Sequence, residues 1–172
     1  MEQSRVELLQ NMPVFGGIRQ DTLEYLVTLS TRVDFAKGEL VFQEGSPGDS
    51  MLVLEQGTMA VIKHWKGKEY LLGSFLGAGD CVGEMSLIDL EPRSASVVAM
   101  DQCRTLCIEA AHLNLLRKRD LGQFTMICLN IAREVCRRLR AADQQLFQVC
   151  LEADLVDGEF TFSSTKSISD QT

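Results

Sequence analysis

Histidine, paired cysteines, long apolar runs and positive charge are all scarce in this chain, and each scarcity removes a class of function. Its two histidines, His64 and His112, are too few for a multi-histidine metal site, and neither stands at ligand spacing from a cysteine. The six cysteines (Cys81, Cys103, Cys107, Cys128, Cys136 and Cys150) include no CxxC pair, and the N-terminal stretch MEQSRVELLQ lacks a basic start followed by an apolar core. That usage reads as a cytoplasmic chain with reduced thiols. No apolar run approaches the roughly 20 residues that cross a bilayer, so no membrane association is expected. Seventeen Lys and Arg stand against 24 Asp and Glu, for a net charge of −7. Nucleic-acid surfaces usually carry a basic stripe that neutralises phosphates, so direct DNA binding is not expected.

What is present is a hydrophobic fraction of 45% in 172 residues, enough for the core of one domain of ordinary size. From Ser4 to Ser30, Val6, Leu8, Leu9, Phe15, Leu23, Leu26, Val27 and Leu29 recur at helical spacing, broken by Pro13 and Gly16-Gly17, which predicts two short helices. From Thr31 the texture changes to short apolar runs cut by turn residues at Ala36-Lys37-Gly38, Glu44 to Asp49, Glu55-Gln56-Gly57, Lys66-Gly67-Lys68 and Gly77 to Asp80. Many short strands at that spacing predict an antiparallel sandwich or barrel. Two more strands are expected over Ala95 to Met100 and Arg104 to Glu109. Between Gly122 and about Leu151 there is no Pro or Gly, and Phe124, Cys128, Ile131, Val135, Leu139, Ala142, Leu146 and Val149 step by three or four residues. That is one long helix with a coiled-coil-like seam. The predicted division is a domain over 1–152 and a polar, acidic tail over 153–172.

The stretch GDCVGEMSLIDLEPRSASVVA, Gly79 to Ala99, is odd for the strands around it. Gly83 lets the backbone approach a ligand closely, and amides opening a short helix at Glu84-Met85-Ser86 form a cradle for an anion. Arg93 adds a planar fork of donors that matches phosphate oxygens. A carboxylate beside a phosphate is tolerable if Glu84 points to a hydroxyl on the same molecule, so the pair asks for a phosphorylated sugar. The competing reading of the same residues is a surface Glu–Arg ion pair flanking a loop.

The spacing then resembles the cyclic nucleotide-binding domain family. VGEMSLIDLEPRSA, Val82 to Ala95, follows that family's phosphate-binding cassette: aliphatic, Gly, Glu, aliphatic, small, Leu, aliphatic, a few variable residues, Pro, Arg, small, Ala. PVFGGIRQDTLEYL is similar to the family's N-terminal helices and FAKGELVFQEGSPGDSMLVLEQGTMAV to its first strands, so the resemblance spans about residues 5 to 150. It implies a mainly β fold, a double-stranded β-helix or jelly-roll barrel with N-terminal helices and a long C-terminal dimerisation helix. It also implies roles. Glu84 would accept a ribose hydroxyl, Gly83 with the amides of Glu84 and Met85 would approach sugar and phosphate, and Arg93 with Ser94 would hold the cyclic phosphate. Val61, Ser74, Leu76 and Val82 would wall the pocket or simply fill the core.

The base is read, in this resemblance, by the long helix. AREVCRRLRAADQQL, Ala132 to Leu146, is similar to the helix of bacterial catabolite-activator-type effector domains, including Arg137-Arg138-Leu139. It departs where those proteins place Thr-Ser and this chain has Ala142-Asp143. Arg138, Ala142 and Asp143 are therefore the candidate base contacts. An ionised Asp143 accepts from the amino group of adenine or from guanine's pairing edge; its other reading is a solvated helix position. The ligand expected is cAMP ahead of cGMP, with no further cofactor. Ala142, Leu146 and Val149 lie past the point where a barrel would cover the helix, which predicts a parallel homodimer. Cys128, Cys136 and Cys150 read as small buried hydrophobes or seam residues.

The family's transcription factors continue into a helix-turn-helix domain, whereas about 20 polar residues follow the long helix here. The expectation is thus a non-catalytic sensor that acts through an unidentified protein partner, with a nucleotide-free interaction module as the alternative. An enzyme on a similar β-helix scaffold, such as a cupin, would need clustered histidine and carboxylate ligands, which two isolated histidines do not supply.

Overall fold

The apolar positions near the N-terminus settle into two helices, α1 (Glu2–Gln10) and α2 (Gln20–Leu29), joined by a 3-10 turn over Pro13–Phe15. Proline opens that turn, where its missing N–H costs nothing. The computed structural model describes residues 2–72 and 76–152; residues up to Cys136 form one compact unit and Arg137 begins a second.

Among the described residues eight strands follow: β1 (Thr31–Phe35), β2 (Leu40–Phe42), β3 (Ser50–Gln56), β4 (Met59–Trp65), β5 (Lys68–Leu71), β6 (Cys81–Val82), β7 (Ser96–Ala99) and β8 (Cys103–Glu109). A short helix, α3 (Ser86–Asp89), sits between β6 and β7, and α4 (Ala110–Arg119) and α5 (Leu121–Glu152) close the described chain. All pairing is antiparallel, in two four-stranded sheets of order β1-β8-β3-β6 and β2-β7-β4-β5. The pairs β1–β8, β2–β7, β3–β6 and β4–β5 are those of one long hairpin rolled on itself, which is a jelly roll. The predicted fold class is the observed one.

Strand β3, inside the first sheet, is buried on both faces, and its residues alternate accordingly. Met51 and Val53 of β3, with Leu106 and Ile108 of β8, pack on one side against Leu9, Phe15, Leu23 and Leu26 of the N-terminal helices and turn. Leu52 and Leu54 of β3 and Cys103 of β8 turn the other way, onto Met59, Val97 and Ala99 of the second sheet. Each fully buried Val, Leu, Ile, Phe or Met among them contributes about 1.5–3 kcal/mol. That two-sided burial explains why β3 reads as a continuous apolar run, MLVL, rather than as an alternation.

The helical pattern after β8 resolves into two helices with a break at Asp120. Its carboxylate accepts the backbone N–H of Gln123 at 3.0 Å and an Arg19 Nη2 donor at 2.7 Å. Up to Cys136, α5 is anchored on the first unit by fully buried Ile127 and Ile131 and by partly buried Phe124 and Val135. Asn130 Nδ2 adds a 2.8 Å bond to the carbonyl of Gly16. Ile127, not Cys128, therefore fills the buried stripe in this turn; Cys128 is half-buried and Cys136 is exposed, which leaves Cys136 the seam alternative rather than a place in the core. None of the six cysteines forms a disulfide. The predicted tail, 153–172, lies outside the described residues. Among the described residues no helix is long and apolar enough to cross a membrane.

Candidate functional site

Residues 83–95 leave β6 at the edge of the first sheet and enter β7 inside the second, so this segment bridges the two sheets. Its first residue, Gly83, has φ +82°, a conformation that costs a side-chain-bearing residue about 1 kcal/mol or more. Space forbids a side chain there as well. A Cβ at Gly83 would stand 2.4 Å from Arg93 Nη1, 2.9 Å from Phe42 Cε2 and 2.9 Å from the Ser50 carbonyl oxygen. Glycine at 83 is thus what lets the arginine close over the backbone.

Glu84 and Arg93 are both interior, with 2% and 5% of their surface exposed. Charged side chains are rarely buried so deeply unless something holds them. Arg93 Nη1 donates to the carbonyl of Gly83 at 2.9 Å and Nη2 to the hydroxyl of Ser50 at 3.2 Å, while the Phe42 ring lies 3.8 Å from its Cζ. Its Nε is buried and has no partner. An unsatisfied donor on a buried cation is costly, and an incoming anionic acceptor would relieve it. Burial pushes the Arg93 pKa below its ordinary value, opposed by the nearby charges of Asp49, Cys107 and Glu84.

The backbone of Arg93 is fixed by the segment between β2 and β3. Gly45 donates to the Arg93 carbonyl and the Arg93 N–H to the Ser46 carbonyl, each at 2.9 Å. A Cβ at Gly48 would come within 2.6 Å of Ser86 Cβ and 3.0 Å of Arg93 Cζ, so this loop packs directly beneath the bridging segment. Sequence reasoning treated Glu44 to Asp49 only as a turn. It also missed Phe42 and Ser50, which contact the guanidinium. A Gly-x-x-Gly spacing just before a Ser was the available signal, but no chemistry in the sequence alone ties Ser50 to an arginine 43 positions on.

Of the other predicted residues, Met85 precedes α3 in helical conformation and Ser94 is exposed, its hydroxyl 3.9 Å from Met85 Sδ. The short helix begins at Ser86, two residues later than expected. Val82 belongs to the inner core and Val61 and Leu76 pack against it; Ser74 lies outside the described residues. Arg138, Ala142 and Asp143 lie on α5 in the second unit, Arg138 half-buried and the other two exposed. Among the described residues no group of three or more His, Cys, Asp or Glu could hold a metal ion.

A buried, incompletely paired guanidinium, a buried carboxylate nine positions away and a glycine with no room for a side chain are groups whose chemistry suits a small anion carrying hydroxyls. Comparison with known proteins agrees. The chain is 30% identical over 140 residues to the cyclic AMP receptor protein of Thermus thermophilus, covering 80% of this chain and 62% of that protein. It is 28% identical over 141 residues to a CRP-like cAMP-activated global transcriptional regulator of Mycobacterium tuberculosis, covering 81% and 61%. The chain thus spans about three-fifths of the length of these relatives. The crystal structure of Thermus thermophilus catabolite activator protein superposes with a TM-score of 0.71 at 29% identity, over 81% of this chain and 64% of that one. The family model for the cyclic nucleotide-binding domain matches residues 32–120, more than half of the chain, and the chain belongs to that family.

Proposed function

We propose that this protein is a non-catalytic regulator that binds a cyclic nucleotide, cAMP in preference to cGMP, in the segment from Gly83 to Ala95. The observation that carries the reading is Arg93: a cation with 5% exposure whose Nε has no partner, in the same segment as buried Glu84. Arg93 and Ser94 take the cyclic phosphate, Glu84 takes a ribose hydroxyl, and Gly83 with Met85 forms the floor. Val61, Leu76 and Val82 supply apolar wall. The preference for cAMP is supported by the names of the two relatives described above, at 30% and 28% identity. The base is read by Arg138, Ala142 and Asp143.

The signal leaves through α5. Binding shifts the population of two arrangements of the helix, and an unidentified protein partner in the cytoplasm reads the change without direct contact to DNA. The seam positions Leu139, Leu146 and Val149 are 59%, 63% and 59% exposed, which supports a parallel homodimer along the second half of α5. Titration calorimetry with cAMP and cGMP on the wild type, Arg93→Ala and Asp143→Ala tests the reading. Arg93→Ala abolishes most of the affinity, and Asp143→Ala alters the cAMP/cGMP ratio. Absence of binding by the wild type would instead favour a nucleotide-free interaction module.

A further inference from the structure

We infer that Phe42 is a positioning residue for ligand binding, which acts by holding the Arg93 guanidinium in one plane. The inference rests on the reading above, that Arg93 takes the phosphate. The guanidinium is held by the Gly83 carbonyl on Nη1 and the Ser50 hydroxyl on Nη2, faces the Phe42 ring 3.8 Å from Cζ, and lies close to the Gly48 backbone. The two hydrogen bonds fix the Nη edge but leave the side chain free to rotate about the line joining their acceptors. A ring packed against one face removes that rotation, so the Nε donor, which has no partner, keeps a single direction.

An aromatic ring suits this task better than an aliphatic side chain. A cation over a ring face is attracted by the ring's quadrupole, more strongly where water is excluded, and Arg93 is almost wholly excluded from water. Burial alone would penalise the charge; the ring face offsets part of that cost without offering an acceptor that would compete for Nε. Phe42 is placed for this by β2, which pairs with β7 three residues past Arg93. It also packs against the inner core beside Leu52, Val82 and Val97. The ring edge lies close to Gly83: a Cβ there would meet Phe42 Cε2 at 2.9 Å and Arg93 Nη1 at 2.4 Å. Gly83, Phe42 and Arg93 form one contact set, and Phe42 is its aromatic member.

Two measurements on the full chain test this. In the ligand-free protein, thermal unfolding is compared for Phe42→Leu, Arg93→Met and the double variant. Phe42→Leu is expected to lower Tm by about 3 °C or more when Arg93 is present, and by less than half as much in the Arg93→Met background, because the ring's partner is then gone. An equal loss in both backgrounds would make Phe42 ordinary core and overturn the inference. With cAMP, Phe42→Leu is expected to raise Kd about five- to ten-fold, whereas Phe42→Tyr stays within about two-fold of the wild type. A tyrosine variant as impaired as the leucine variant would also overturn it. Failure of the wild type to bind either cyclic nucleotide would reject the ligand reading by itself, and with it the role in binding. The unfolding cycle would then report only whether the ring holds the guanidinium.

Discussion

Gly83→Ala separates the demands of the site from those of the backbone, because the chain supplies its own control. Gly83 and Gly38 share φ +82°, yet a Cβ at Gly38 meets nothing within 4 Å while one at Gly83 meets Arg93, Phe42 and the Ser50 carbonyl. Alanine at 38 therefore costs only the left-handed conformation, about 1–2 kcal/mol. Alanine at 83 costs that and more. A methyl group 2.4 Å from Nη1 expels the guanidinium, which gives up its bond to the Gly83 carbonyl and strains the one to Ser50. Hydrogen bonds from a charged donor contribute about 1.5–3 kcal/mol each, so the total for Gly83→Ala is about 3–5 kcal/mol. Urea unfolding at constant m-value reads the two losses directly. The surplus at 83 over 38 should be about 2–3 kcal/mol, and Gly83→Ala should lose nucleotide affinity while Gly38→Ala retains it. Losses equal within about 0.5 kcal/mol would refute the claim that Gly83 is reserved for Arg93.

Ile131 of α5 is fully buried, so Ile131→Ala should destabilise the chain by about 2–5 kcal/mol, and a loss below about 1 kcal/mol in urea would contradict its packing. Leu146 is 63% exposed; Leu146→Ser should keep the helical circular dichroism but shift light scattering toward the monomer, and an unaltered mass would count against the homodimer seam. Burial raises the pKa of the Cys103, Cys107 and Cys128 thiols, in each case as the largest cause. A group whose folded pKa is raised gives stability that is full below the unfolded value, about 8.5, and falls as pH rises through the folded value. Under reducing conditions Tm should therefore decline above about pH 8.5, less steeply in a Cys103→Ala/Cys107→Ala/Cys128→Ala variant; identical slopes would refute the assignment.

Much of this architecture was legible because the sequence repeats its physics locally. Turn residues between short apolar runs mark the strands, and the Gly-Glu to Pro-Arg spacing marks the bridging segment. What could not be read is what depends on pairing across long separations. The register that sets β2 against β7, and so brings Phe42 onto Arg93, leaves no trace in local periodicity. The same holds for Gly45 and Ser46, whose backbone groups clasp Arg93 far along the chain. The break at Asp120 was hidden because α4 and α5 are both helical and differ only in how Asp120 caps the second. Cys128 and Ile127 are neighbours on a helix of 3.6-residue period, and only packing against the first unit decides which is buried.

The proposed function stands or falls on whether Arg93 offers its remaining donor to a ligand phosphate. Calorimetric titration of the full chain with cAMP, beside Arg93→Ala, decides this. One nucleotide per chain is expected for the wild type, and at least a ten-fold weaker association for the variant, as loss of a charged hydrogen-bonding partner requires. Equal affinity in the two proteins, or no heat of binding in the wild type, would contradict it.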